Sequence, residues 1–263
     1  MIESVAPNTD IEPRLVCGIG PALALLADTT QGVESALFLR GGRGERFESV
    51  VQLARQRGIK IRFVERASLD RASAGVVHQG VVLVAALQLQ PTWELFLETL
   101  QQQLVQNDRS PVLVVLDGIE DPRNLGAILR SAHAFGAVAV IRTKDRAAPL
   151  NAAAEKSASG AAAYIPCVTV TNLARALDQL AALGVRLCGL AADATESLIA
   201  ADLTGPLALL LGGEANGLRR LTRQRCHILL SIPMEAGEIG SLNVAVAASV
   251  ALYEVARQRM LSK

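Results

Sequence analysis

Apolar residues in this chain fall into short runs with two rhythms. Residues 35–39, 59–64 and 81–86 read as strands, and between the first two lies a stretch, 47–57, whose apolar positions repeat at helical spacing up to Gly58. This predicts a small α/β domain over residues 14–87. Residues 88–110 break the pattern with Pro91, Gln101, Gln102, Gln103 and Asn107, and read as a connection with helical character near 95–104. From residue 111 onward the alternation restarts. Strands are predicted at 112–116, 137–141, 185–190, 207–211 and 228–232, and helices at 125–135 and 173–183. Their continuous Val/Leu runs suit strands covered on both faces, hence a parallel sheet in an α/β domain over 111–263. Residues 241–259 place Val244, Ala247, Ala248, Ala251, Leu252 and Val255 at helical spacing, with charge entering only at Glu254. That predicts a closing helix, buried or in contact with a second copy.

Composition narrows the class. At 263 residues and 51% hydrophobic the chain can bury a large core. No stretch approaches the roughly 20 apolar residues of a membrane span. Glu3, Asp10 and Glu12 precede any apolar run, so the first twelve residues read as a frayed leader rather than a signal peptide, and the protein as cytoplasmic. Cys17, Cys167, Cys188 and Cys226 form no C-x-x-C pair, and His78, His133 and His227 stand apart, which argues against a metal site or a disulfide framework. The net charge is only +1, but just Lys60, Lys144, Lys156 and Lys263 among the 26 cations are lysines. Arginine's planar fork suits phosphate. The cations also concentrate early: residues 14–86 hold ten Lys/Arg against six Asp/Glu. Both features are compatible with RNA, and equally with solvated arginines.

Three segments stand out. Asp117-Gly-Ile-Glu-Asp-Pro-Arg-Asn124 runs from the carboxyl end of a predicted strand into a helix that carries Arg130, and ligands of open α/β sheets bind at such ends. Gly212-Gly-Glu214-Ala-Asn-Gly217 is a glycine-rich turn after an apolar strand, where the backbone can come close to a ligand. Ile232-Pro-Met is followed by Ser241-Leu242-Asn243. Taken singly, each has an ordinary explanation: Asn124 and Ser241 as helix caps, Glu214 as a turn residue, Arg130 as a surface charge.

In this order the segments resemble the three motifs of the SpoU or TrmH family of RNA ribose 2′-O-methyltransferases. Residues 148–160, 170–175 and 77–81 also resemble the branch that modifies a guanosine of 23S rRNA. The loop Glu235-Ala-Gly-Glu-Ile-Gly240 departs from the family pattern, being one residue longer and carrying two acidic residues. The resemblance implies a trefoil-knotted catalytic domain after a ribosomal-protein-like (L30e-like) RNA-binding module. It implies S-adenosylmethionine held at Gly212, Ile232 and Leu242, a homodimer formed through the closing helix, and no metal. It assigns activation of the ribose hydroxyl to Arg130, with Asn124, Glu214, Ser241 and Asn243 orienting arginine, RNA and loop. A guanidinium with a pKa above about 12 is an uncomfortable base, so Arg130 is either a transient base or a fixed cation beside the developing alkoxide. Arg40, Arg43 and Arg46, in a Gly-rich loop of the first domain, are candidate phosphate contacts.

Three alternatives compete. A tRNA ribose methyltransferase is the nearest, but it does not account for the added first domain. A catalytically silent RNA-binding or assembly protein on the same scaffold is disfavoured by the presence of all five candidate catalytic residues. A Rossmann methyltransferase or dehydrogenase is disfavoured because no G-x-G-x-x-G follows a predicted strand.

Overall fold

The computed structural model describes residues 14–28, 32–73, 75–85, 90–106, 110–214, 216–235 and 242–261. The leader, Ser241 and most of the long loop before it lie outside these residues. The chain divides into two compact units, residues 1–88 and 89–263.

The first unit comprises β1 (Arg14–Cys17), α1 (Ile19–Ala27), β2 (Val33–Leu39), α2 (Glu45–Gln56), β3 (Lys60–Val64), α3 (Arg66–Ala72) and β4 (Val81–Ala85). Its sheet has the order β1-β4-β2-β3, antiparallel except where β2 runs parallel to β3. Val16, Ala36, Phe38, Val81 and Leu83 on the sheet bury against Leu25 and Leu26 of α1 and Val50 and Ala54 of α2. Arg57, which ends α2, donates to the carbonyls of Leu25, Leu26 and Asp28, so this cation satisfies the free end of α1.

The second unit follows as α4 (Trp93–Gln106), β5 (Val112–Asp117), α5 (Pro122–Ala134), β6 (Ala139–Thr143), α6 (Ala152–Ala158), β7 (Cys167–Val170), α7 (Leu173–Ala182), β8 (Arg186–Leu190), β9 (Glu196–Ser197), β10 (Leu207–Gly212), α8 (Arg220–Arg223), β11 (Ile228–Ser231) and α9 (Val244–Leu261). All seven strands are parallel, in the order β7-β6-β5-β10-β8-β11-β9. Every residue of β5 is buried. Its alternate side chains feed two cores, Val112, Val114 and Leu116 facing α5, α6 and α9, and Leu113 and Val115 facing α4 and α7. The result is a three-layer sandwich, as continuous apolar strands require.

Within residues 88–110, the helical character expected near 95–104 is present as α4 (Trp93–Gln106). Phe96 and Leu100 of α4 are buried in the second core and the Trp93 indole donates to Gln179, so this helix is part of the second unit. Its glutamines lie on the exposed side, which is why the stretch looks like a tether. Strand β6 begins two residues later than its apolar run suggested. On α9, Ala248, Ala251, Leu252 and Val255 are buried, whereas Val246, Val250 and Tyr253 are 48%, 38% and 53% exposed. The closing helix therefore has one face in the core and one apolar face outside it.

Candidate active site

Helix α5 starts at Asp121, whose Oδ1 accepts from the Arg123 N–H at 2.8 Å. Pro122 occupies the first helical position, where its missing N–H costs nothing. The cap role considered for Asn124 is thus taken by Asp121, and Asn124 is free to point elsewhere. Its Nδ2 donates to Glu214 Oε1 at 2.5 Å, and its Oδ1 accepts from Asn243 Nδ2 at 3.1 Å. Asn243 is itself the cap of α9, with Oδ1 accepting from the N–H groups of Ala245 and Val246. Chemistry fixes the direction of this chain. A helix-end N–H can only donate and a carboxylate can only accept, so both amides must be oriented from Asn243 through Asn124 to Glu214. Residues 90 and 119 positions apart thereby form one polar line, each segment contributing one member.

The line borders a cavity of about 520 Å³ at the carboxyl ends of β8, β10 and β11, lined among others by Gly212, Glu214, Ile232, Leu242 and Asn243. Sequence reasoning missed Leu190 and Ala191 on the same wall, and has Met234 only as part of the third segment. The usable signal was positional: in a parallel sheet the residues just past every strand face the ligand side, and β8 ends at Leu190. At Gly212 the structure adjusts the expected reason for a glycine. A Cβ there would lie 1.9 Å from the Gly217 carbonyl carbon, so the close approach is to the chain's own returning turn. Gly213 is similar, with the Gly118 carbonyl oxygen 2.6 Å from a built Cβ.

Arg130 is not part of this line within one chain. It lies six residues, about 9 Å, beyond Asn124 along α5 and is exposed, its Nη1 donating to Ser159 Oγ at 3.3 Å. Ser159 closes α6 in the left-handed conformation, φ 51°. Close by on the same helix, His133 stacks on Tyr164 with ring centroids 5.2 Å apart. Ser241 falls outside the described residues. In the first unit Arg40, Arg43 and Arg46 are all exposed, and Arg40 pairs with Glu65 at 3.2 Å. No group of three or more His, Cys, Asp or Glu among the described residues could hold a metal ion. None of their helices is long and apolar enough to cross a membrane.

Residues 111–253 match the SpoU rRNA Methylase family, and residues 15–90 match the RNA 2′-O ribose methyltransferase substrate binding family. The chain belongs to the SpoU rRNA methylase family. It is 44% identical over 246 residues to the 23S rRNA (guanosine-2′-O-)-methyltransferase RlmB of Pasteurella multocida, covering 93% of this chain and 98% of that one. The protein of the same name from Haemophilus influenzae is 42% identical, with the same coverage. Among solved structures, the SpoU methyltransferase AviRb from Streptomyces viridochromogenes in complex with AdoMet superposes with a TM-score of 0.77 at 25% identity, covering 94% of this chain and 90% of that one.

Proposed function

We propose that this protein transfers a methyl group from S-adenosylmethionine to the ribose 2′-hydroxyl of a guanosine in 23S rRNA. The observation that carries the reading is the hydrogen-bonded line Asn243–Asn124–Glu214 on the rim of an apolar cavity, in a member of a family whose relatives bear that activity in their names. The cavity fits the cofactor: about 520 Å³ is within the range of small-molecule sites, and its apolar walls and glycine backbone offer a slot for a flat base and main-chain groups to hydrogen-bond it. Gly212, Ile232 and Leu242 would hold it. When bound, S-adenosylmethionine supplies an electrophilic methyl group.

The remaining tasks fall to side chains of this chain. Asn124 spends its carbonyl on Asn243 and one amide N–H on Glu214, so it locks the carboxylate in place and keeps a second N–H for RNA. Glu214 keeps acceptor capacity for a ribose hydroxyl or an arginine. Arg130 is the cation of the reaction, removing the hydroxyl proton or stabilising the oxygen as it loses it. Because Arg130 is exposed and lies off the polar line of its own chain, we assign it to the site of a partner copy in a homodimer, docked through the exposed apolar face of α9. The first unit binds the RNA through Arg40, Arg43 and Arg46. An exposed ion pair such as Arg40–Glu65 contributes only about 0–1 kcal/mol, so a phosphate can displace the carboxylate. We also assign to the loops after β10 and β11 the knotted path of the family, and to the reaction a cytoplasmic location.

The test is a map of ribose 2′-O-methyl marks in rRNA and tRNA from cells with and without the gene. Loss of one 23S guanosine mark is expected. Loss of a tRNA mark instead, or of none, rejects the reading.

A further inference from the structure

We propose that Asp117 is a positioning residue for methyl transfer, holding both ends of the loop that carries Glu214 to the end of β5. Its side chain is fully buried, at 0% exposure, and takes no part in the polar line of Asn243, Asn124 and Glu214. Three contacts define what it does. The Asp117 main-chain carbonyl accepts from the Gly213 N–H at 3.1 Å, immediately before Glu214. The carboxylate Oδ2 accepts from the Arg219 N–H at 2.9 Å, five residues after Glu214. Oδ1 faces the Arg219 Nε at 3.3 Å. One residue thus fixes the loop where it leaves the sheet and where it returns.

The surroundings leave the loop little slack. Gly217 N–H donates to the Gly213 carbonyl at 2.9 Å, closing the turn on itself. Arg219 lies so close over Gly118 that a Cβ there would be 3.1 Å from Nη2. On its other side Asp117 leads through four residues, 118–121, into α5, whose first turn carries Asn124. It therefore stands at the common origin of the two segments that meet in the Asn124–Glu214 hydrogen bond, and it sets their separation.

A purely stabilising role explains the pair poorly. Oδ1 has no hydrogen-bond partner among the described residues, only the arginine's charge. A buried carboxylate oxygen left short of donors costs free energy, and buried ion pairs are often no more stabilising than apolar residues of the same volume. What the arrangement secures is register between two loops. A signature follows from the same asymmetry: removing one partner strands the other, whereas replacing both by amides restores a neutral tie.

This inference rests on the cofactor reading, and the experiment separates the two. The full chain is purified as wild type, D117N, R219A, the double variant D117N/R219Q, and L100A, which removes a buried leucine of α4 remote from the cavity. S-adenosylhomocysteine binding is measured by calorimetry, kcat and KM on deproteinised 23S rRNA by methyl incorporation, and Tm by scanning calorimetry. D117N and R219A are expected to weaken S-adenosylhomocysteine binding and lower kcat at least tenfold with RNA affinity within twofold of wild type. The double variant recovers most of both, and L100A loses Tm while keeping both. D117N with wild-type affinity and kcat, a double variant no better than the singles, or an equal loss in L100A overturns the proposal. Wild type that does not bind S-adenosylhomocysteine refutes the cofactor reading and this proposal with it. If D117N does not fold, R219A, whose side chain is 45% exposed and whose main-chain N–H still reaches Oδ2, carries the comparison through the stranded Asp117 charge alone.

Discussion

Replacing Gly126 by alanine sets two effects of known sign against each other. Gly126 sits inside α5, and its φ is not in the left-handed region, so helix propensity alone makes alanine better by about 1 kcal/mol. The added Cβ, however, would lie 2.1 Å from the Ala154 carbonyl oxygen, 2.6 Å from Ser157 Cβ and 2.9 Å from the Ala158 nitrogen, all on α6. Two of these are backbone atoms, so relief needs the whole of α6 to withdraw by more than about 1 Å. Overpacking of this kind costs about 1–3 kcal/mol, and backbone contacts put this case at the upper end. Subtracting the propensity gain leaves a net loss of about 2 kcal/mol. For a unit the size of residues 89–263, that lowers Tm by about 4–8 °C. Because α6 ends at Ser159, which holds Arg130, methyl transfer should fall below what the lost folded fraction explains. Scanning calorimetry and single-turnover methylation at 25 °C read both. An unchanged or raised Tm would refute the claim that α5 and α6 are in contact through that glycine.

Arg130→Ala should abolish methyl transfer and leave S-adenosylhomocysteine affinity nearly intact; a residual rate above about a few per cent removes Arg130 from the mechanism. Joint replacement of Arg40, Arg43 and Arg46 by alanine should weaken 23S rRNA binding and flatten its salt dependence by up to about three phosphate contacts, and an unchanged salt slope excludes them. Arg123 beside Asp121, Arg223 beside Asp193, and Arg257 with Gln258 beside Glu254 hold these carboxyls below their ordinary values. A depressed folded-state pKa contributes stability that is present above the unfolded value, near 4, and is lost as pH falls through the folded one. Urea midpoints should therefore drop below pH 4, and Glu254→Gln should make that drop shallower. Burial pushes the Cys188 and Cys226 thiols up to about 11, so neither should react appreciably with a disulfide reagent at pH 8 until the protein is unfolded.

How much of this was legible in the sequence depended on whether the signal was local. Strands β5, β8, β10 and β11 announce themselves because each is a continuous apolar run, interrupted only at an end by Asp117, Arg186 or Ser231. Helix α6 does not, since Ala152, Ala154 and Ala158 are too small to mark a periodic face, and they are small because α5 packs against them at Gly126. Helix α4 shows in the sequence as helical character, but its place in the second unit does not, because its glutamines outnumber its two buried anchors, Phe96 and Leu100. Asn124 and Glu214 stand out in the sequence, but each has a local explanation there, and the cap of the last helix is expected at Ser241 rather than at Asn243. Only the fold shows that Asp121 caps α5 while Asn243 does two jobs at once. Asp117 shows in the sequence only as the start of a motif, because nothing local distinguishes a buried carboxylate ending a strand from an exposed one opening a turn.

The double duty of Asn243 also bears on when the protein becomes competent. Its side chain starts α9 and completes the polar line, and it comes after every strand of the sheet in chain order. During synthesis Asn124, Glu214 and the walls at the ends of β8, β10 and β11 emerge first, whereas Leu242, Asn243, Val244 and Ala247 follow, so the cavity and the polar line close only when α9 has formed. Nascent chains and fragments broken off before α9 are therefore expected to be inert towards RNA methylation, so that activity itself would report that α9 has been made and docked.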